Sequence, residues 1–280
     1  MSGPGSVSEA APAHDAPPVN VRPRKPFTAW KIWVSLVVIA AITYWSGSKR
    51  WGIDIDIADL INNFSNGTDK LAQIVTPSFK HFGETLGPML QSIEVAIVAS
   101  AIGCAIGLPV AFLASRITMP NAIVRGPVRA ILSIVRSIPD ILYASILATI
   151  VGIGPLPGVI ALVLFSIGIL VKLFAEVIDA VDTGPFEAAR SAGATRFGAD
   201  RAAILPQVLP NYTAFSLYIL ELNIRTGTVL GLVGAGGIGQ LISDWQNFYR
   251  YHDIGLIIFE ILILVLIIEG VSAMLRRRLS

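Results

Sequence analysis

The chain has 280 residues, 54% of them hydrophobic and only 14% charged, with a formal net charge of +2. A mean hydropathy of +0.69 excludes an ordinary soluble globular domain and points to a polytopic membrane protein. The single cysteine, Cys104, excludes an intrachain disulfide.

The three histidines, His14, His81 and His252, are too scattered to suggest a metal-ligand set. The near-neutral balance gives no footprint for nucleic acid, and none is expected as a partner.

Residues 1–26 are rich in Pro and Ala and lack apolar periodicity, which predicts a disordered cytoplasmic tail. An apolar run from Trp30 to Ser46 follows, flanked by Arg22, Arg24, Lys25 and Lys31. It reads as a retained first span. A cleaved signal peptide is the rival, but the preceding tail is long and no clear small-residue cleavage site follows. Residues 47–87 are polar, with Ile53, Ile55 and Ile57 alternating with Asp54 and Asp56. With the first span they form a unit over 27–87, expected to carry short interfacial helices outside the cytoplasm.

Residues 88–280 hold the expected five-helix core. Hydropathy places its spans at about 88–115, 128–150, 158–181, 208–232 and 254–275, six in all with the first. The basic residues fix the expected orientation. Arg116, Arg125, Arg129, Arg190, Arg196, Arg201 and Arg276 to Arg278 fall on the side of the N-terminal tail. Lys49, Arg50, Lys70, Lys80 and Arg250 fall on the other. The excess puts both termini in the cytoplasm, in a bacterial inner membrane.

Between the fourth and fifth spans lies EAARSAGATRFGADRAAILPQVLP, Glu187 to Pro210. It opens with strong helix formers and closes on Pro206 and Pro210, which end or bend helices. A polar helix between two spans must lie outside the lipid. Small residues there (Ala188, Ala189, Ala192, Gly193, Ala194) allow a short helix to seat deep in a partner's cleft. Glu187, near the helix start, is favoured by the helix dipole. Gly193 is expected at the contact because a side chain would hold the helix away. The bland alternative is a solvated loop.

Three pairs of opposite charge stand four residues apart inside the predicted spans: Arg136 with Asp140, Lys172 with Glu176, and Glu221 with Arg225. That spacing predicts one helix face for each pair. Charges at lipid depth face a protein interior or a water-filled path. Together the pairs suggest a polar seam along the translocation pathway, although each could serve packing alone. Arg225 keeps its proton at any working pH, and its planar fork suits an oxyanion. The acids Glu94, Asp140, Glu176, Asp179, Glu221, Glu260 and Glu269 nevertheless outnumber the bases within the spans. A strongly anion-attracting tunnel is therefore not evident.

Gly234, Gly236, Gly237 and Gly239 fit a G-x-G-x-x-G pattern. A long apolar span precedes them rather than a strand, so a dinucleotide fold is not expected. They are read instead as a loop shaping an outer gate. No lysine follows a glycine, so the chain lacks a phosphate loop and must borrow any ATPase activity. No metal or nucleophile constellation suggests an enzyme.

The Glu-Ala-Ala stretch, with Gly193 six residues after the glutamate and Ile204-Leu205-Pro206 beyond it, resembles the EAA loop of binding-protein-dependent ABC import permeases. The usual family form has Ile three residues before the proline, where this chain has Ala203. RSIPDIL (136–142), GPFEAARSAGATR (184–196), LPQVLP (205–210) and ELNIRTGTVLGLVGAGGIG (221–239) resemble the phosphonate-type branch of these MetI-like permeases more closely.

The resemblance implies an all-α membrane protein with six transmembrane helices and a cytoplasmic coupling helix within 183–206. It implies a permease homodimer, two cytoplasmic ATPase subunits that bind ATP and Mg, and an extracytoplasmic binding protein. The chain itself would bind no cofactor. Phosphonate, phosphate or a related oxyanion is the implied cargo. A methionine or osmoprotectant permease of the same fold, or a stand-alone secondary transporter, are the alternatives.

Overall fold

The computed structural model describes residues 29–47 and 57–279. All regular structure among them is helical. The chain divides into two compact units, residues 1–64 and 65–280.

In the first unit, α1 (Ala29–Gly47) is apolar on every side and exposed along its length, as suits a helix surrounded by lipid. A short α2 (Ile57–Asn62) follows. The readings made for residues 1–26 and for the Asp54–Asp56 alternation lie outside the described residues.

The second unit, from residue 65, holds all but the first residue of the amphipathic α3 (Phe64–Val75), then a 3-10 turn over Phe79–His81. The long α4 (Phe82–Ala114) then begins before the expected boundary at residue 88 and runs through Pro88 and Pro109. It packs chiefly against α7 (Pro155–Ile178), with α10 (Leu205–Gly231) beside both. Close approach of α4 and α7 depends on small residues. A methyl group at Gly103 would stand 2.5 Å from the Ser166 Cβ. One apolar cluster around Phe174, Ile178, Ile204 and Val208 fills one end of the bundle. A second, around Leu162, Leu230 and Ala235, continues the core. Met89, Ile238, Trp245 and Ile257 fill a third.

A correction concerns the third predicted span. Residues 128–150 are not one helix: α5 (Ala122–Ser137) and α6 (Asp140–Val151) meet at an 83° bend. Pro139 has no amide hydrogen to offer and biases Ile138 away from helical torsions. Ile138 is accordingly extended, with φ −90° and ψ 125°.

Among the described residues, four helices are long and apolar enough to cross a membrane, and the bent pair would make a fifth. Reaching six requires α10, whose 27 residues extend about 40 Å. Glu221, Asn223, Arg225 and two prolines lower its hydropathy. Beyond α10 come α11 (Gly237–Asn247) and the last long helix, α12 (Tyr251–Leu279).

Candidate coupling hairpin and charged cavity

The segment after α7 forms a hairpin of short helices. α8 (Gly184–Ser191) carries Pro185 in its first turn, where proline is well suited. The Thr183 hydroxyl donates to Glu187 Oε1 at 3.2 Å. At the other end Gly193 N–H donates to Arg190 O, and Ala194 N–H donates to Ala189 O. This paired pattern is a Schellman cap, whose left-handed residue is usually glycine.

Gly193 has φ +88°, and a Cβ there would meet nothing within 4 Å. The left-handed torsion is by itself a sufficient reason for glycine here, whatever it touches in a complex. The sequence reading took it only as a contact residue and missed the cap.

α9 (Arg196–Ala199), capped by Thr195, and a π-helical turn over Asp200–Ile204 return the chain to α10. Glu187 and Ala188 are exposed on the hairpin, and Ala189 is half-buried.

Two charged residues fasten this end of the molecule. The Arg196 guanidinium donates to Thr118 O at 2.9 Å and also to Ile117 O, and it lies 5.7 Å from the centre of the Phe186 ring. The hairpin is thus tied to the α4–α5 turn.

Asp179, just past α7, accepts from the Ser115 hydroxyl at 2.5 Å, from Arg116 N–H at 2.6 Å and from Arg129 Nη2 at 3.1 Å. Burial by itself would raise the Asp179 pKa. The hydrogen bonds from Ser115, Arg116 and Ile117, with the Arg129 charge, outweigh it and hold the carboxyl below its usual range. For Asp200 the balance is reversed. Burial raises its pKa despite the nearby Arg196 charge.

The three predicted charge pairs have different fates. Arg136 and Asp140 fall on different helices across the Pro139 bend, and Asp140 Oδ1 instead accepts from Ile141 N–H at 3.0 Å. The expectation that they share a helix face is overturned. Lys172 and Glu176 both stand on α7, and among the described residues no ion pair joins them.

Glu221 and Arg225 do pair, at 2.7 Å, and Glu269 of α12 adds a second carboxylate 3.7 Å from the same Arg225 nitrogen. The bend leaves Arg136 free to lie along α7, where Gly168 makes room: a methyl there would stand 2.8 Å from Arg136 Cγ. Arg136, Lys172 and Glu176 then meet Arg116, Arg129 and Asp179 around one cavity of about 310 Å³. Glu221 and Arg225 do not line it.

The glycine-rich loop is tightly packed. Gly237 N–H donates to Gln91 Oε1 and Ile238 N–H to Ser92 Oγ, each at 2.8 Å. Gly154 N–H donates to Gly234 O at 3.0 Å. A methyl at Gly239 would stand 2.0 Å from Thr228 O and 2.8 Å from Gly231 Cα, so α10 and α11 touch backbone to backbone.

Sequence reading also missed two polar clusters. Asn223 is fully buried and donates to the hydroxyls of Ser100 and Ser166, both at 2.8 Å, which joins α10, α4 and α7. Its separation from the face of Glu221 and Arg225 was the only clue. Near the start of α12, Asp253 Oδ1 lies 3.0 Å from His81 Nδ1, while Arg250 Nε donates to Asp253 Oδ2 at 2.8 Å and stacks on Trp245.

The described residues thus form a bundle of helices long and apolar enough for a membrane, with a helical hairpin between α7 and α10. The chain belongs to the binding-protein-dependent transport system inner membrane component family, whose model matches residues 107–280.

It is 36% identical over 223 residues to the phosphite transport system permease PtxC of Stutzerimonas stutzeri, covering 80% of this chain and 81% of that one. It is 37% identical over 208 residues to the phosphate-import permease PhnE of Mycolicibacterium smegmatis, covering 74% of this chain and 39% of that longer one. Its fold is similar to the inward-facing methionine ABC transporter MetNI, with a TM-score of 0.65 and 25% identity over 72% of this chain and 99% of that one.

Proposed function

We propose that this permease subunit carries a tetrahedral phosphorus oxyanion (phosphite, phosphate or a phosphonate) as one half of a homodimer. The observation that carries this reading is its 36% identity to a phosphite permease across four-fifths of the chain. In the assembly, two ATPase subunits binding ATP and Mg engage α8 through Glu187, Ala188, Ala189 and Gly193. An extracytoplasmic binding protein delivers cargo to the far end. There the loop of Gly234, Gly236, Gly237 and Gly239 forms the gate wall.

Arg116, Arg129 and Arg196 gather at the hairpin end, and a cationic surplus favours the cytoplasmic side. This supports a cytoplasmic hairpin and cytoplasmic termini. The path is lined by Arg136, Asp140, Lys172, Glu176, Glu221 and Arg225. Within it the bases of the cavity face the cargo, and Arg225, held between two acids, braces the wall.

The likeness to MetNI favours a second reading, a methionine-type permease, at lower identity. Uptake decides between them. The chain is reconstituted with its cognate ATPase and binding protein, and labelled phosphite, phosphate, methylphosphonate and methionine are offered. ATP-dependent uptake of at least one phosphorus oxyanion is expected. Uptake of methionine alone would overturn the reading.

A further inference from the structure

The cavity between α5 and α7 has an unusual charge balance. Four bases line it (Arg116, Arg129, Arg136 and Lys172) with two acids, Glu176 and Asp179. Asp179 is already committed to Ser115, to two backbone amides and to Arg129. Among the described residues no carboxylate lies within ion-pairing distance of Arg116, Arg136 or Lys172. Three cations therefore surround one recess with Glu176 as the sole uncommitted acid. Arg116, Arg136 and Lys172 are exposed around the recess, and an anion bound among them would relieve their mutual repulsion.

We propose that this cavity is a binding site for a phosphate group. Arg116 approaches it from the end of α4, Arg136 from the end of α5 and Lys172 from α7. A tetrahedral oxyanion offers acceptors in three directions, and guanidinium and ammonium donors match them. Arg129 is oriented by Asp179 and by the Ala114 carbonyl, so it serves as a fixed wall. About 310 Å³ holds a phosphate with part of its ester or hydration shell.

The phosphate has two chemical sources, an anionic phospholipid headgroup and a free inorganic ion. The neighbouring face of α5 exposes Ile131 and Ile134, which acyl chains could cover. In sharing Arg136 and Lys172 with the proposed pathway the site rests partly on that reading, but its test does not require transport.

The full permease is purified and placed in nanodiscs of phosphatidylcholine or phosphatidylglycerol. Retained lipid is read by native mass spectrometry, and labelled inorganic phosphate binding is read in the phosphatidylcholine discs. Selective retention of phosphatidylglycerol identifies the headgroup as source, and saturable binding of inorganic phosphate identifies the free ion. Either is expected to weaken at least about tenfold in R116Q/K172Q, which spares the Arg129–Asp179 pair.

The charge-preserving R116K/K172R should retain binding, and K172Q alone serves if the double variant does not fold. The proposal is overturned if neither ligand binds the wild-type protein, or if the neutral variants bind as well as wild type. Failure of phosphorus-oxyanion uptake with binding intact would sink the cargo reading and leave this site standing.

Discussion

Two charged regions of this permease carry opposite surpluses. Around Arg225 one guanidinium meets two carboxylates, Glu221 and Glu269. Around the α5–α7 cavity four bases meet two acids, one of which is bound up in structural hydrogen bonds. In isolation Arg225 has the better chemistry for an oxyanion, because its planar fork can grip two oxygens. Its surroundings reverse the ranking. A second carboxylate within 4 Å repels an arriving anion, whereas uncompensated cations attract one. An arginine's role is therefore set by the charge remaining after its neighbours have been satisfied.

Asp179→Ala attacks the comparison at its base and should have the largest effect. It strips the acceptor from Ser115, from two amides and from Arg129, and the α4–α5 turn loses its anchor. A loss of about 2 kcal/mol in the stability of the purified permease is expected, seen as a lowered thermal midpoint. Asp179→Asn, which keeps an acceptor, should lose less. An unchanged midpoint in the alanine variant would mean that the carboxylate is not structurally committed and that the cavity's surplus has been overstated.

Glu176→Gln sharpens the comparison by removing the cavity's remaining free acid. Phosphate-group affinity should rise about threefold, close to 0.7 kcal/mol. A fall would show that Glu176 organises Lys172 instead of opposing the ligand. The smallest effect is expected at Arg225→Lys, where an ammonium can still pair with Glu221. Uptake by the assembled complex should change by less than about twofold. A tenfold loss without loss of assembly would place the oxyanion at Arg225 and break the comparison.

Much of this architecture is legible in the sequence, for identifiable reasons. Long apolar runs mark α1, α4, α7 and α12 because lipid imposes both length and composition. The polar Glu187–Pro210 stretch stands out because it interrupts them. Pro139 announces a break, but sequence alone cannot say that the break swings α6 through 83° and leaves Arg136 against Gly168. The i, i+4 rule holds for Glu221 and Arg225 and fails for Arg136 and Asp140, because it presumes an unbroken helix.

Other partnerships carry no local signature. His81 and Asp253 are 172 positions apart. Asn223 reads as one more polar residue in α10 until Ser100 and Ser166 arrive from two other helices. Gly193 is the instructive intermediate. Its place just beyond a short helix is a sequence signal for a Schellman cap, and the same position falls inside the docking motif.

The contact between Gly231 and Gly239 has a mechanical consequence. With the two backbones touching and Gly237 and Ile238 bonded to α4, the corner between α10 and α11 has no slack to fold or unfold. Under the proposed coupling, a push at the foot of α10 is expected to turn α10 and α11 together, like a bell crank on a pivot. In the proposed transport cycle this joint would act as a lever about α4, with the glycines supplying its stiffness.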